Sequence, residues 1–260
     1  MPVLVTGATG CIGRALVPRL IETGGQVRVY IRRDEPSYRS RGVKVAIGDA
    51  DHEGRLESAL EQVHTLVHLV GGPLPDRGVT VEWLNLDTIQ VALRAAVNAE
   101  VRRVLFCSQV GADPAATHPY LAAAGRAEEA VRGSGLEHAI LRCAPVLGPG
   151  SALAMLLERG VPSRRRSAKL NPVAVADVAA ALASADTRDT EMRGTWDLGG
   201  PVVVTIEDLV ARAGVRRGIL SRAPGGLADL YARDSVADAE QAAAQFGLRL
   251  TPLDEALAGI

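Results

Sequence analysis

Lysine is nearly missing from this chain. Of its 29 basic residues, only Lys44 and Lys169 are lysines, and the other 27 are arginines. Arginine stays charged in proteins, so a site that needs an amine of adjustable pKa has only those two positions to draw on. Aromatic residues make up 3% of the sequence, too few to suggest a stacking platform for nucleic-acid bases. The net charge of −1 gives no general attraction to nucleic acid or to an anionic membrane. No apolar run is long enough to span a bilayer, and the first strand pattern starts at residue 2, which argues against a signal peptide. Cys11, Cys107 and Cys143 are widely separated, without metal or redox spacing, and predict a reduced, cytoplasmic protein. His64 and His68 would lie roughly 13 Å apart on a strand, beyond the reach of one ion, so no metal site is expected. No Gly-x-Ser-x-Gly elbow offers the nucleophile of a serine hydrolase.

Glycine, by contrast, is concentrated where it carries information. The run Thr6-Gly7-Ala8-Thr9-Gly10-Cys11-Ile12-Gly13 follows an apolar stretch, Pro2-Val3-Leu4-Val5, and leads into residues of helical spacing. Strand, glycine loop and helix in that order predict a dinucleotide site. Gly7 permits the tight turn, Gly10 lets backbone approach a pyrophosphate, and Gly13 lets helix pack close to strand. Thr9, Cys11 and Ile12 complete the loop, and the helix start offers unpaired N–H groups to phosphate.

Strand and helix patterns alternate from there on, which predicts an α/β fold: a doubly wound, mostly parallel, Rossmann-like sheet in a three-layer α/β/α sandwich. Residues 3–6, 27–31, 43–46, 65–70, 104–108 and 138–142 read as strands, and 12–23, 55–62, 81–98 and 120–133 as helices. After Pro145 the chain is punctuated by Gly148, Pro149, Gly150 and Pro162, and 163–167 reads as a basic, exposed loop. A strand at 170–175, a helix at 176–185, a strand at 194–198 and a helix at 205–213 follow. The expected organisation is a dinucleotide-binding core at 1–145 and a smaller substrate-side subdomain at 146–260, interwoven with the last strands. Paired faces on the two long helices make a homodimer an expectation.

The end of the second strand bears on the choice of cofactor. An acidic residue there holds the ribose 2′-OH of NAD. Here the strand runs into Arg32-Arg33 and only then Asp34-Glu35. Two guanidiniums suit a 2′-phosphate, with Arg14 able to join them, so NADP is favoured over NAD. The alternative is that Arg32 and Arg33 are solvated and Asp34 takes the ribose. Asp49 and Ala50 follow the third strand where an adenine would pass, although Asp49 also suits a plain turn. Leu69, Val70 and Gly71 end the fourth strand, where small residues admit a cofactor ribose.

With these segments placed, the chain resembles the short-chain dehydrogenase/reductase superfamily in its extended or atypical branch. The resemblance rests on Thr-Gly-Ala-Thr-Gly-x-Ile-Gly at 6–13, His-Leu-Val-Gly at 68–71, Ser108, Ser-Gly-Leu at 134–136, Ile-Leu-Arg at 140–142 and Asn-Pro-Val-x-Val-x-Asp-Val at 171–178. It is most similar to the group that includes the nitrogen-metabolite-repression regulators and the complex I accessory subunit. The resemblance implies a catalytic Ser at Ser108 and a Tyr at Tyr120, with a Lys four residues on. Position 124 is alanine, and Arg126 would point to another helix face. Without the lysine, Tyr120 is expected to keep an ordinary phenol pKa of around 10, or to be simply a packing residue. Gln109, His118, Arg142 and Asn171 are further candidates for the cleft wall. The expected function is an NAD(P)-dependent oxidoreductase passing hydride to a small organic acceptor such as a quinone, enone or ketone. The alternative is a non-catalytic NADP-binding sensor or assembly protein; an epimerase or dehydratase has less support, because that chemistry depends on the Tyr–Lys pair.

Overall fold

The structure is a computed structural model and describes residues 2–159, 167–214 and 225–260. In chain order its elements begin β1 (Val3–Thr6), α1 (Cys11–Glu22), β2 (Val27–Ile31), α2 (Pro36–Arg39), β3 (Lys44–Ile47), α3 (Glu53–Leu60) and β4 (Thr65–His68). A π-helical turn (Trp83–Asp87) then opens α4 (Thr88–Asn98), followed by β5 (Arg103–Gln109), α5 (Pro119–Gly133) and β6 (Glu137–Cys143). The remaining elements are β7 (Val146–Leu147), α6 (Ala152–Arg159), β8 (Lys169–Leu170), β9 (Val173–Ala174), α7 (Val175–Asp186), β10 (Arg193–Leu198), β11 (Val204–Thr205), α8 (Ile206–Arg212), α9 (Gly225–Leu230), α10 (Ala239–Phe246) and α11 (Leu253–Ala258).

Seven strands form one parallel sheet in the order β10-β6-β5-β4-β1-β2-β3. This is the expected Rossmann-like sheet. The order reverses between β1 and β4, so their carboxyl ends diverge and leave a crevice there. Side chains alternate across the pleat. Val3, Val5, Val29, Val67 and Leu105 pack with Leu16, Val17 and Leu20 of α1 and Val178 and Leu182 of α7. Leu4, Leu66, Val104 and Phe106 face the other way, onto Leu56 and Leu60 of α3, Ile89 and Leu93 of α4 and Val131 of α5. Both faces are covered over the central strands β1, β4 and β5, which is why these read as continuous apolar runs, whereas the edge strands β3 and β10 are partly exposed.

The second half of the chain supplies β10 to this sheet and α7 to its α1 face. A third apolar cluster, with Leu153, Leu156 and Leu157 of α6, Leu209 of α8, Leu227 and Leu230 of α9 and Leu257 of α11, stands beside the strand ends. Three local expectations are corrected. The strand expected at 170–175 is two short ones, because Pro172 cannot donate a ladder bond and Asn171 turns its amide to Gly200 and Ala237. The helix at 81–98 contains the π-helical turn. The fourth strand ends at His68, where the chain leaves the ladder to cross the glycine loop. The basic run at 163–166 lies outside the described residues.

Candidate functional site

The glycine loop closes over the carboxyl end of β1. Gly7 has φ +67°, and a Cβ there would sit 2.5 Å from the Leu69 carbonyl carbon, so the turn and the close approach of β4's exit both require glycine. A Cβ at Gly13 would meet Ala8 Cα and the Gly7 carbonyl oxygen at 2.5 Å, which fixes how closely α1 approaches the loop. Gly10 caps α1 without a side-chain hydrogen bond, and no acidic residue lies in the first turn. The helix start therefore keeps open N–H donors and the positive end of its dipole, which suits a pyrophosphate. Tyr38, on α2, donates its phenol to the Ala8 carbonyl at 2.7 Å and braces the loop from behind.

The opposite wall is the chain leaving β4. His68 is buried between the Thr6 hydroxyl at 3.1 Å and the Thr88 hydroxyl at 3.5 Å. Burial pushes its pKa down to about 3, and only a backbone hydrogen bond with Val70 opposes this, so the ring is neutral. Beyond it, Asn85 in the π-helical turn accepts from the Gly72 N–H at 2.7 Å. The same amide donates to the Gly72 and Val81 carbonyls at 3.0 and 2.8 Å. The segment 69–72 is thus held open by one amide on an irregular turn.

Arg32 and Arg33 follow β2 and are exposed, as is Arg14. Arg32 has a loose ion pair with Asp76 at 3.5 Å. Arg14 donates to the Thr9 carbonyl at 2.9 Å and to Glu35 at 3.2 Å. Asp34 instead receives Arg39 on both oxygens, at 3.1 and 3.2 Å. Asp49 is exposed with its carbonyl accepting from the Tyr30 phenol at 3.0 Å, and Ala50 is half-buried beside it. Thr9, Arg32, Arg33, Asp49 and Ala50 do not line the central cleft, whereas Gly7, Gly10, Cys11, Ile12, Gly13, Leu69, Val70 and Gly71 do. Burial raises the Cys11 thiol to about 11, so it faces the cleft as a protonated, unreactive group.

That cleft has a volume of about 320 Å³ and continues past the ends of β5 and β6 to Ser108, Gln109, Tyr120, Ala124, Met155 and Tyr231. No charged side chain is among the described residues lining it. Ser108 is buried, and its hydroxyl donates to Glu128 at 2.6 Å. Glu128, fully buried on α5, also receives two hydrogen bonds from Arg142 at 2.8 and 2.7 Å and one from Arg132. Tyr120 stands near Cys143 and Cys107, and its phenol has no hydrogen-bond partner among the described residues. Burial, with smaller contributions from those thiols, pushes it above the ordinary phenol range that the sequence predicts. Ala124 is buried one turn beyond. Arg126 is engaged by Glu82 and does not take the missing lysine's place.

Of the further cleft candidates, only Gln109 lines it. His118 hydrogen-bonds the Gly226 carbonyl at 3.1 Å, Arg142 serves Glu128, and Asn171 ties 171 to 200 and 237. Sequence reasoning missed Glu128, Asn85 and Tyr38. Glu128 had a signal, since a carboxylate four residues after position 124 lies one turn further on the same helix face; Asn85 had none, because a π-turn shifts the helical phase.

A family profile described as NAD(P)H-binding matches residues 7–189. Mitochondrial NADH dehydrogenase (ubiquinone) 1 alpha subcomplex subunit 9 of Arabidopsis thaliana is 30% identical over 79% of this chain and 55% of that protein. Ceramide reductase of Caulobacter vibrioides is 30% identical over 69% of this chain and 59% of that one. The chain thus spans less than two thirds of the length of these curated relatives. Triphenylmethane reductase of Citrobacter sp., solved with NADP(H), shares the fold with TM-score 0.77 at 20% identity, covering 99% of both chains. The glycine cradle, the open helix start and the family match over residues 7–189 agree, and the chain belongs to this NAD(P)H-binding family on the short-chain dehydrogenase/reductase fold.

Proposed function

We propose that the chain is an NAD(P)-dependent oxidoreductase, with NADPH preferred, that reduces an uncharged and largely apolar organic acceptor such as a quinone or enone. The carrying observation is that the described residues lining the cleft where it meets the cofactor cradle carry no charge. An ionic substrate would lose its hydration there without a compensating partner. Gly10 would let the dinucleotide backbone approach, with Gly7 and Gly13 holding the loop against Leu69 and α1; the start of α1 would hold its pyrophosphate, and Leu69, Val70 and Gly71 its ribose. Arg32, Arg33 and Arg14 provide for a 2′-phosphate, and Arg39 holds Asp34 in an ion pair. When bound, the reduced nicotinamide supplies a hydride. Ser108 and Tyr120 border the reacting end. Glu128 fixes Ser108 so that its oxygen faces a ligand as a hydrogen-bond acceptor, and Tyr120 offers a neutral phenol as donor. With no lysine at 124, an acceptor whose product anion is conjugated needs the least acid–base help. The three free thiols suit a reducing compartment such as the cytoplasm.

A second reading, a cofactor-binding sensor or assembly protein without turnover, is favoured by Ala124 and the raised Tyr120. One experiment separates the two: titration of the protein with NADPH and NADH, followed by loss of reduced-nicotinamide absorbance with quinones, enones and ketones. Quinone- or enone-dependent oxidation of NADPH is the expected result. Tight binding without turnover across the panel rejects the enzyme reading, and absence of dinucleotide binding rejects both.

A further inference from the structure

Ser108 lines the reacting end of the cleft, yet its one proton is already committed. Glu128 is a carboxylate held by two guanidiniums and can only accept, so the 2.6 Å contact uses the Ser108 O–H as donor. What Ser108 turns toward a ligand is lone pairs, and lone pairs do not hold a carbonyl oxygen. A different group must do so if the acceptor carries one.

Gln109, the next residue on β5, has the required properties. It is 8% exposed, and its side-chain amide has no hydrogen-bond partner among the described residues. Its amide atoms are not among the buried unpartnered ones, so they open onto the cleft, where a ligand can pair with them directly. Gln109 lines the main cleft and also a smaller cavity of about 150 Å³ shared with Tyr231 and Ser235. Cavities on both sides leave the amide free to turn toward a ligand. Among the other polar neighbours, Asn85 is saturated by Gly72 and Val81 and the cleft-lining thiols are weak donors, which leaves the Tyr120 phenol as the second donor beside Gln109.

We infer that the Gln109 side-chain amide holds a carbonyl oxygen of the acceptor, alongside the Tyr120 phenol, and so selects neutral carbonyl-bearing molecules over hydrocarbons of the same shape. This rests on the proposed oxidoreductase reading and deepens it. An amide N–H donates a hydrogen bond but no proton, so the residue acts by binding and orientation. It stabilises the charge that develops on the oxygen as hydride arrives.

The test uses menadione and methylnaphthalene, which share a ring system and differ in the two carbonyls, with the NADP⁺-loaded protein. Wild type is expected to bind menadione more tightly than methylnaphthalene. Gln109→Leu, close to isosteric, is expected to weaken menadione about fivefold to tenfold while leaving methylnaphthalene and NADPH affinities within about twofold. Gln109→Met, which removes the donor and keeps the length of the side chain, is expected to lose the same preference, and this guards against a packing effect of leucine. Retention of the menadione preference in both variants, or its absence in wild type, overturns the inference. Gln109-dependent menadione binding without turnover rejects only the enzyme reading, and failure to bind NADPH rejects the cofactor assignment instead.

Discussion

Replacing Arg32 and Arg33 by serine tests the cofactor preference at its physical root. Both side chains are exposed; Arg32 is 72% accessible and its Asp76 partner 75%, at 3.5 Å. Freeing Arg32 from such a contact costs little, because exposed pairs contribute about 0–1 kcal/mol. A charge-assisted hydrogen bond to phosphate is stronger, about 1.5–3 kcal/mol when sheltered, and solvent exposure reduces it here to about 1 kcal/mol per arginine. Two such contacts amount to about 2 kcal/mol, or about a 30-fold change in Kd. Arg14 remains in the double variant and preserves part of the preference. The expected outcome is therefore a rise of about 30-fold in the NADPH Kd, measured by nicotinamide fluorescence at fixed ionic strength. NADH, which has no 2′-phosphate, should change by less than about twofold. The wild-type NADPH affinity should fall with added salt, and the variant's more shallowly. Equal losses for the two dinucleotides would refute the reasoning, as would a wild-type protein that prefers NADH.

Two further outcomes follow from the packing around the loop. Gly13→Ala places a methyl 2.5 Å from Ala8 and Gly7, and it should cost about 1–3 kcal/mol in urea unfolding while weakening NADPH and NADH alike, unlike the arginine variant. For His68, the folded-state pKa of about 3 lies below the ordinary 6.5, so the unfolded chain gains a proton first as pH falls. Its contribution is thus intact above pH 6.5 and shrinks progressively down to about 3, a loss of about 2 kcal/mol by about pH 5; His68→Gln should flatten that part of the urea-stability profile.

The sheet was legible because burial on both faces writes uninterrupted apolar runs, and the glycine loop because its spacing reflects contacts that a Cβ would destroy. The family resemblance, carried by motifs along most of the chain, holds for the same reason. What escaped was set by contacts distant in sequence. Arg103 reads as an ordinary charged residue near a strand start, yet it is fully buried, bonding Glu137 and the carbonyls of Ala185, Arg188 and Thr190. Nothing local announces partners more than eighty residues away. Asn85 and Tyr38 likewise act through carbonyls and amides, which leave no pattern in the side chains they meet. The Tyr120 pKa was misjudged for a related reason. Its neighbours Cys107 and Cys143 come from β5 and β6, and burial, with smaller contributions from those thiols, raises the phenol.

Position 124 connects these observations. A lysine there would put an ammonium into a cleft whose other described walls carry no charge, and burial would oppose that charge. The chain keeps its charges one turn further along α5, where Glu128 is neutralised by Arg132 and Arg142 and grips Ser108 from behind. Charge is thereby used to make the site rigid and is withheld from the space a ligand enters. Tyr120, raised by burial and lacking a cation to favour its phenolate, stays a neutral donor. On the proposed reading, such a site has little acid–base assistance to give, so the ease of reaction must come from the acceptor itself. An isolated ketone would place a full alkoxide charge in an apolar cleft. A quinone or enone spreads the charge over a conjugated system, and one amide hydrogen bond goes further toward stabilising it. On that same proposed reading, the features that suit this cleft poorly to ketone–alcohol exchange are the ones that fit it to flat, conjugated, uncharged molecules.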